Sequence, residues 1–232
     1  MKRINVLITL LLVLSSTNVI AWDWQTHQNI VERVYNSLPK DLNLSLEDLK
    51  EGSIIPDKAF HDNKLHNYPP SLELTNLWLS VAKEEYKNKN FENASTAFGI
   101  ATHYITDSFS APHYIKGESS YQHAAYEERG YLRLNEYCRV DINISEGLSK
   151  GPEGGKLWNE WLQTDNDKIP EKAVNKATKI VYLAAFETFN TGCDKKTKII
   201  TKNPSLTITI TSSLAILLLI ILLIKKKKSK LS

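Results

Sequence analysis

The stretch HYITDSFSAPH, residues 103 to 113, places His103, Asp107 and His113 within eleven positions. HAAYE then adds His123 and Glu127, although the whole chain has only six histidines. An imidazole and a carboxylate four residues apart on a helix sit one turn above each other and share a face. His103 with Asp107 and His123 with Glu127 each have this offset, so each offers a nitrogen and an oxygen donor from adjacent turns. Such donors, when deprotonated and held by rigid elements, suit a divalent metal ion. Either pair alone is equally an ordinary surface contact. Two pairs with His113 between them point to a metal centre. Pro112 ends the first helix and lets the chain turn back toward the same centre.

Other residues in the sequence can complete such a centre. His27 lies three and four residues before Ile30 and Val31, so it faces the core, where a histidine is either a ligand or an ordinary hydrogen-bonded residue. GSIIPD places Asp57 after a proline in a loop, and HNYPP supplies His66 with Tyr68 two residues on. His61, four residues after Asp57, is the alternative to His66.

The elements that must carry these residues read as helical. Apolar positions at Ile30, Val31, Val34, Tyr35 and Leu38 form one stripe after His27. A second helix is predicted over 71–88 with Leu74, Trp78 and Val81 inward. A third covers 91–109, with Ala94, Ala97, Phe98, Ala101, Tyr104 and Ile105 on its core side. A fourth spans 121–137. A fifth covers 171–190 through Ala173, Ile180, Leu183, Ala184 and Phe186. Glycine, proline and asparagine mark 36–45 and 150–156 as loops. No strand alternation precedes residue 206, so the fold class is all-α: helices packed about a polar centre. Trp24, Trp78, Trp158 and Trp161 read as core or interface residues.

The ordered set Trp22, THQNIV, PD, HNY, HYITDSFSAPH and HAAYE resembles the zinc-dependent phospholipase C superfamily, which also holds the S1/P1-type nucleases. The resemblance covers 22–190. It implies a helical domain around a cleft with three zinc ions. One zinc would take Asp57, His66, His103 and Asp107, and a second His113, His123 and Glu127. The third would take His27, the bridging carboxylate of Asp107, and the amine and carbonyl of Trp22. It also implies hydrolysis of a phosphodiester by zinc-activated water, with Asp57 as the general base or only as a ligand. Glu127, where the nucleases typically have Asp, favours a phospholipid substrate. The short spacing from Trp22 to His27 is closer to the nuclease branch and to the glycosylphosphatidylinositol-specific phospholipases. A third reading is a surface protein whose zincs are purely structural, but three side chains on the second zinc would leave it open to water.

The ends of the chain bear on compartment. MKRINVLITLLLVLSSTNVIA (1–21) has the basic start and apolar run of a signal peptide, with cleavage expected before Trp22. That cleavage would create the amine required there. Nineteen uncharged residues from Leu206 to Ile224 are about long enough, at roughly 1.5 Å each, to cross an apolar layer of about 30 Å. The basic tail 225–232 follows, holding a single-pass anchor with its lysines on the cytoplasmic side. Residues 22–192 would then form an extracellular domain at the cell membrane, with 193–205 as linker. The chain carries 29 basic and 26 acidic residues; removing Lys2, Arg3 and the five terminal lysines leaves 22 basic against 26 acidic, a net charge of −4. That balance gives no attraction to nucleic acid. An exported body also allows a Cys138–Cys193 disulfide, against two free thiols. Asn43, Asn93 and Asn143 fit the glycosylation acceptor pattern.

Overall fold

The computed structural model describes residues 24–62, 64–130 and 142–192. The signal-peptide segment with Trp22, the Cys138–Cys193 pair, the 206–224 span and the tail lie outside the described residues. Among the described residues no helix is long and apolar enough to cross a membrane.

Every described element is helical, as expected. The chain runs through α1 (Trp24–Ser37), α2 (Leu46–Gly52), a wide π turn (Pro56–Phe60), α3 (Pro70–Lys87) and α4 (Phe91–Asp107). A 3-10 turn (Ala111–Tyr114) leads to α5 (Ser120–Glu128). Then come α6 (Ile144–Leu148), α7 (Pro152–Gly155), α8 (Trp158–Thr164) and α9 (Lys168–Phe189).

α4 is the axis. Ala94, Ala97, Phe98, Ala101, Tyr104 and Ile105 are all buried as the periodicity predicts, and from Ala97 to Asp107 the helix is buried on every side. α1, α3 and α9 close around it, bringing Ile30, Val31, Val34, Ile180 and Val181 into one core. Each large aliphatic side chain buried there contributes about 2 kcal/mol. A smaller cluster of Ala111, Tyr126, Trp158, Trp161 and Ile169 lies beneath α5. Trp158 and Trp161 are therefore core residues, whereas Trp78 is half-buried and stacks on Phe60 with ring centroids 5.9 Å apart.

α2, which the loop-rich sequence before it conceals, meets α4 backbone to backbone. A Cβ on Gly99 would sit 2.4 Å from the Leu49 carbonyl oxygen, and one on Gly52 2.2 Å from that of Thr96. Only glycine permits this approach. Ser45 caps α2 by accepting from Asp48 N–H at 3.3 Å, while its own N–H donates to Ser95 Oγ on α4 at 2.9 Å.

Three expectations need correction. The buried side of α3 is Ser71, Thr75, Leu79 and Ala82, about one position round from Leu74, Trp78 and Val81. The reason is polar burial: Ser108 Oγ on the α4 side donates to Ser71 Oγ at 2.6 Å, so small hydroxyls take the inner face. The helix begun at Ser120 ends at Glu128, well short of 137, with Arg129 as its cap and Gly130 N–H bonded back to the Glu127 carbonyl at 3.1 Å. The segments 36–45 and 150–156 each hold a short turn of helix, at Lys40–Leu42 and Pro152–Gly155.

Candidate metal centre

The donors lie on five elements, and on the segment after the second of them, around the C-terminal end of α4. α1 brings His27, the π turn and the residues after it bring Asp57 and His66, and α4 brings His103 and Asp107. The 3-10 turn and α5 bring His113, His123 and Glu127. Asp57 is thus in a π turn rather than an irregular loop.

His66 is aimed by the segment before it. Asp62 Oδ1 accepts from Lys64 and Leu65 N–H at 3.0 and 3.1 Å, and its Oδ2 accepts from Tyr104 Oη at 3.1 Å. These bonds fix the chain just ahead of His66 onto α4. His61 adopts a left-handed conformation at φ 50° and is exposed, outside every donor group. His66 occupies the position that the sequence left open between the two.

Four overlapping groups of donor atoms lie within 4.8 Å of one another: His27–His103–Asp107, Asp57–His66–His103, His66–Asp107–His113 and His113–His123–Glu127. Asp107 is the hinge between them. Its Oδ1 is 3.4 Å from His27 Nε2, and its Oδ2 is 2.8 Å from His66 Nδ1 and 3.1 Å from His103 Nε2. Asp57 Oδ1 stands 3.4 Å from His103 Nε2 and 3.8 Å from His66 Nε2. On the far side, Glu127 Oε1 is 3.2 Å from His113 Nε2 and 3.1 Å from His123 Nε2. All eight described donors predicted from sequence come together.

The hydrogen bonds behind the rings fix their orientation. His103 Nδ1 faces the Ser53 carbonyl at 2.9 Å and must carry the proton, which turns the Nε2 lone pair to the carboxylates. Thr106 Oγ1 donates to backbone carbonyls at 2.8 and 3.0 Å, so it accepts from His27 Nδ1 at 2.8 Å, and His27 Nε2 likewise turns to Asp107. His123 Nδ1 donates to Glu118 at 3.3 Å, and Ser110 Oγ donates to Glu127 at 2.6 Å. These partners escape a sequence reading. A carbonyl, a threonine and a serine carry no spacing signal, and Glu118 lies in an unpatterned loop.

Burial and mutual charge shift the protonation of these donors in opposite directions. Burial lowers the His27 imidazole to about 4, assisted by the charge of His103. Burial also opposes the charging of His103, but Asp107 and Asp57 outweigh it and raise the group to about 10. His123 is raised to about 9, against its burial, by Glu127 and Glu118. Despite burial, Asp107 is held well below the carboxylate range by His103 and His27, and Glu127 is lowered by His113 and His123. Neighbouring imidazole and carboxylate donors need a proton or a metal ion between them.

Three atoms decide between these. His66 Nε2, His103 Nε2 and Asp107 Oδ1 are buried and make no hydrogen bond, although opposing donors lie beside them. Buried polar atoms are rarely left so. Donors about 2.0–2.1 Å from a tetrahedral zinc ion stand about 3.3 Å apart. Five of the imidazole–carboxylate separations, from 3.1 to 3.4 Å, match that edge. The residues fit zinc.

The donors open on a cleft of about 340 Å³. Four donors, Asp57, His66, His113 and His123, line it together with Lys64, Asn67, Pro112, Ile115 and Glu118.

A family model described as zinc dependent phospholipase C matches residues 26–187, a span that includes all eight described donors. Comparison with curated proteins and with solved structures gives no match. Helical fold, donor geometry and matched span agree, and the chain belongs to the zinc-dependent phospholipase C family.

Proposed function

We propose that the protein is a zinc-dependent phosphodiesterase that releases headgroups from phospholipids, with three zinc ions held by Trp22, His27, Asp57, His66, His103, Asp107, His113, His123 and Glu127. The observation that carries this reading is the cleft. A purely structural set of ions would be closed by protein donors. Here His113, His123 and Asp57 line an opening large enough for a phosphate and its substituents.

When bound, zinc supplies Lewis acidity, acidifying water and offsetting the charge of a phosphodiester. The chain's own residues then have separate tasks. Asp57, 17% exposed where most donors are buried, is placed to take a proton from water entering the cleft. Lys64 and Asn67, which also line the cleft, offer donors to phosphate oxygens. Asn67 also ties the two sides together, since its Nδ2 donates to the His113 carbonyl at 3.0 Å. Pro112 and Ile115 add apolar lining for the glycerol end of a lipid.

The same reading includes export, since cleavage before Trp22 would supply the amine of the ninth donor. A 206–224 anchor would hold the domain outside the cell beside its substrate.

The test is hydrolysis by the purified protein of a diacyl phospholipid, a soluble headgroup ester and single-stranded DNA. We expect the lipid to be cleaved, activity to vanish with a chelator, and three zincs per chain. Preference for DNA would assign a nuclease. Activity that survives complete zinc removal would overturn the mechanism. Asp57→Asn that keeps three zincs but loses turnover identifies Asp57 as the base; loss of zinc identifies a ligand.

A further inference from the structure

Between Asp107 and His113 the chain leaves α4 and returns with a donor for the outer part of the cluster. Tyr114 closes that excursion. Its Oη donates to the Ser108 carbonyl at 2.7 Å and accepts from the Tyr68 N–H at 3.0 Å. Ser108 follows Asp107, Tyr68 lies two residues after His66, and Tyr114 itself follows His113. One phenol hydroxyl thus joins the backbone beside donors from three separate segments. The bond from Asn67 to the His113 carbonyl ties two of those segments a second time. Across this junction the His66 and His113 rings stack, with centroids 5.3 Å apart and planes 18° from parallel.

The ring of Tyr114 is fixed from its other side by α7 and the residue before it, which meet it with glycine. A Cβ on Gly155 would lie 2.8 Å from Tyr114 Cβ, and one on Gly151 would press on Tyr114 Oη at 2.7 Å. A phenylalanine would fill the same space but make neither bond, leaving the Ser108 carbonyl and the Tyr68 N–H without this partner. The connection between the segments therefore depends on the hydroxyl and not on the bulk of the ring. Tyr114 is not among the residues that line the cleft, so it acts through the donors beside it.

We propose that Tyr114 is a positioning residue: its hydroxyl holds His113 in register with His66 and Asp107, and so sets the spacing between the ion positions of the outer and inner donor groups. Only the kinetic consequence rests on the hydrolytic activity proposed above. Donors displaced by a fraction of an ångström still bind but misalign the reacting groups, so the loss falls on turnover rather than on affinity.

The test compares Tyr114→Phe with Tyr182→Phe in the full chain, each loaded with cobalt(II) in place of zinc. Tyr182 is a control of the same chemistry, a buried phenol bonded to Ser37 Oγ at 2.9 Å in the core. Electron paramagnetic resonance reads the magnetic coupling between neighbouring cobalt ions, which falls steeply with their separation. Tyr114→Phe should keep the wild-type number of ions but change the coupling. Its kcat on a monomeric short-chain phospholipid should fall about 10–100-fold, with KM within about twofold of wild type. Tyr182→Phe should lose thermal stability with coupling and kcat unchanged. Unchanged coupling in Tyr114→Phe, or an equal change in both variants, overturns the proposal. If Tyr114→Phe does not fold, Gly155→Ala decides, because its methyl group displaces the ring while the hydroxyl remains. It should alter the coupling too, and a wild-type signature there counts against the positioning role. If no phosphodiester is cleaved, the proposed function fails while the cobalt spectra still decide Tyr114. Wild-type protein with no coupled pair of ions overturns the positioning role, whether or not a phospholipid is cleaved.

Discussion

The donor cluster has two unlike halves. His27, His103 and Asp107 are at most 2% exposed, on long helices with backbone contact or full burial around them. His113 and His123 are 10% and 20% exposed, on a four-residue turn and a nine-residue helix. The inner half gains rigidity from the core. The outer half has access, and its geometry depends on polar partners such as Glu118, Ser110 and Asn67. Anchoring in the core and access to the cleft are therefore divided between the two.

The largest effect should come from the residue that joins them. Asp107→Ala leaves His27, His66 and His103 facing one another without their shared carboxylate. It should lose zinc from both halves, abolish activity and cost about 3–5 kcal/mol in denaturant unfolding. Retention of zinc in either half would show that the halves assemble separately.

The halves should next separate by pH in the zinc-free protein. His103 at about 10 and His123 at about 9 are raised above the ordinary 6.5, so they bind more protons folded than unfolded. The stability they contribute is fully present below about pH 6.5 and is lost as the pH rises through 9 to 10. Asp107 and Glu127, held low, give stability that disappears on acidification below the ordinary carboxylate range. Zinc replaces the histidine protons, so calorimetry near pH 7 should register proton release, and the alkaline loss of stability should flatten.

Glu118→Gln addresses the outer half alone. Without a carboxylate behind His123, the zinc affinity of that half should fall about 10–100-fold in competition titrations, with the inner half unaffected. Tyr104→Phe should have the smallest consequence. It removes the bond to Asp62 that holds the chain ahead of His66, costing about 1 kcal/mol in thermal unfolding. Zinc content should stay intact.

The inner half was the more legible in sequence, and the reason is periodicity. α4 repeats its apolar positions over four turns, so the core side and the shared face of His103 and Asp107 follow directly. α2, α6 and α8 have five to seven residues and cannot display a period. The rotation of α3 depends on Ser71 meeting the Ser108 hydroxyl within a buried face, which no hydropathy pattern records. The donors themselves were visible as types at fixed offsets. Their supports were not, because Ser53 acts through its carbonyl and Thr106 through a hydroxyl already bonded twice. Trp22 and the cysteine pair lie outside the described residues, so the structure places neither.

The close approach of Gly52 and Gly99 has a consequence for the chemistry of the donor cluster. Because those two residues lack side chains, the Ser53 carbonyl stands close enough to hold a proton on one edge of the His103 ring. A methyl group at either position would wedge the backbones apart and free that ring to turn over. Two absent carbons, remote from substrate, thus choose which nitrogen greets the ion.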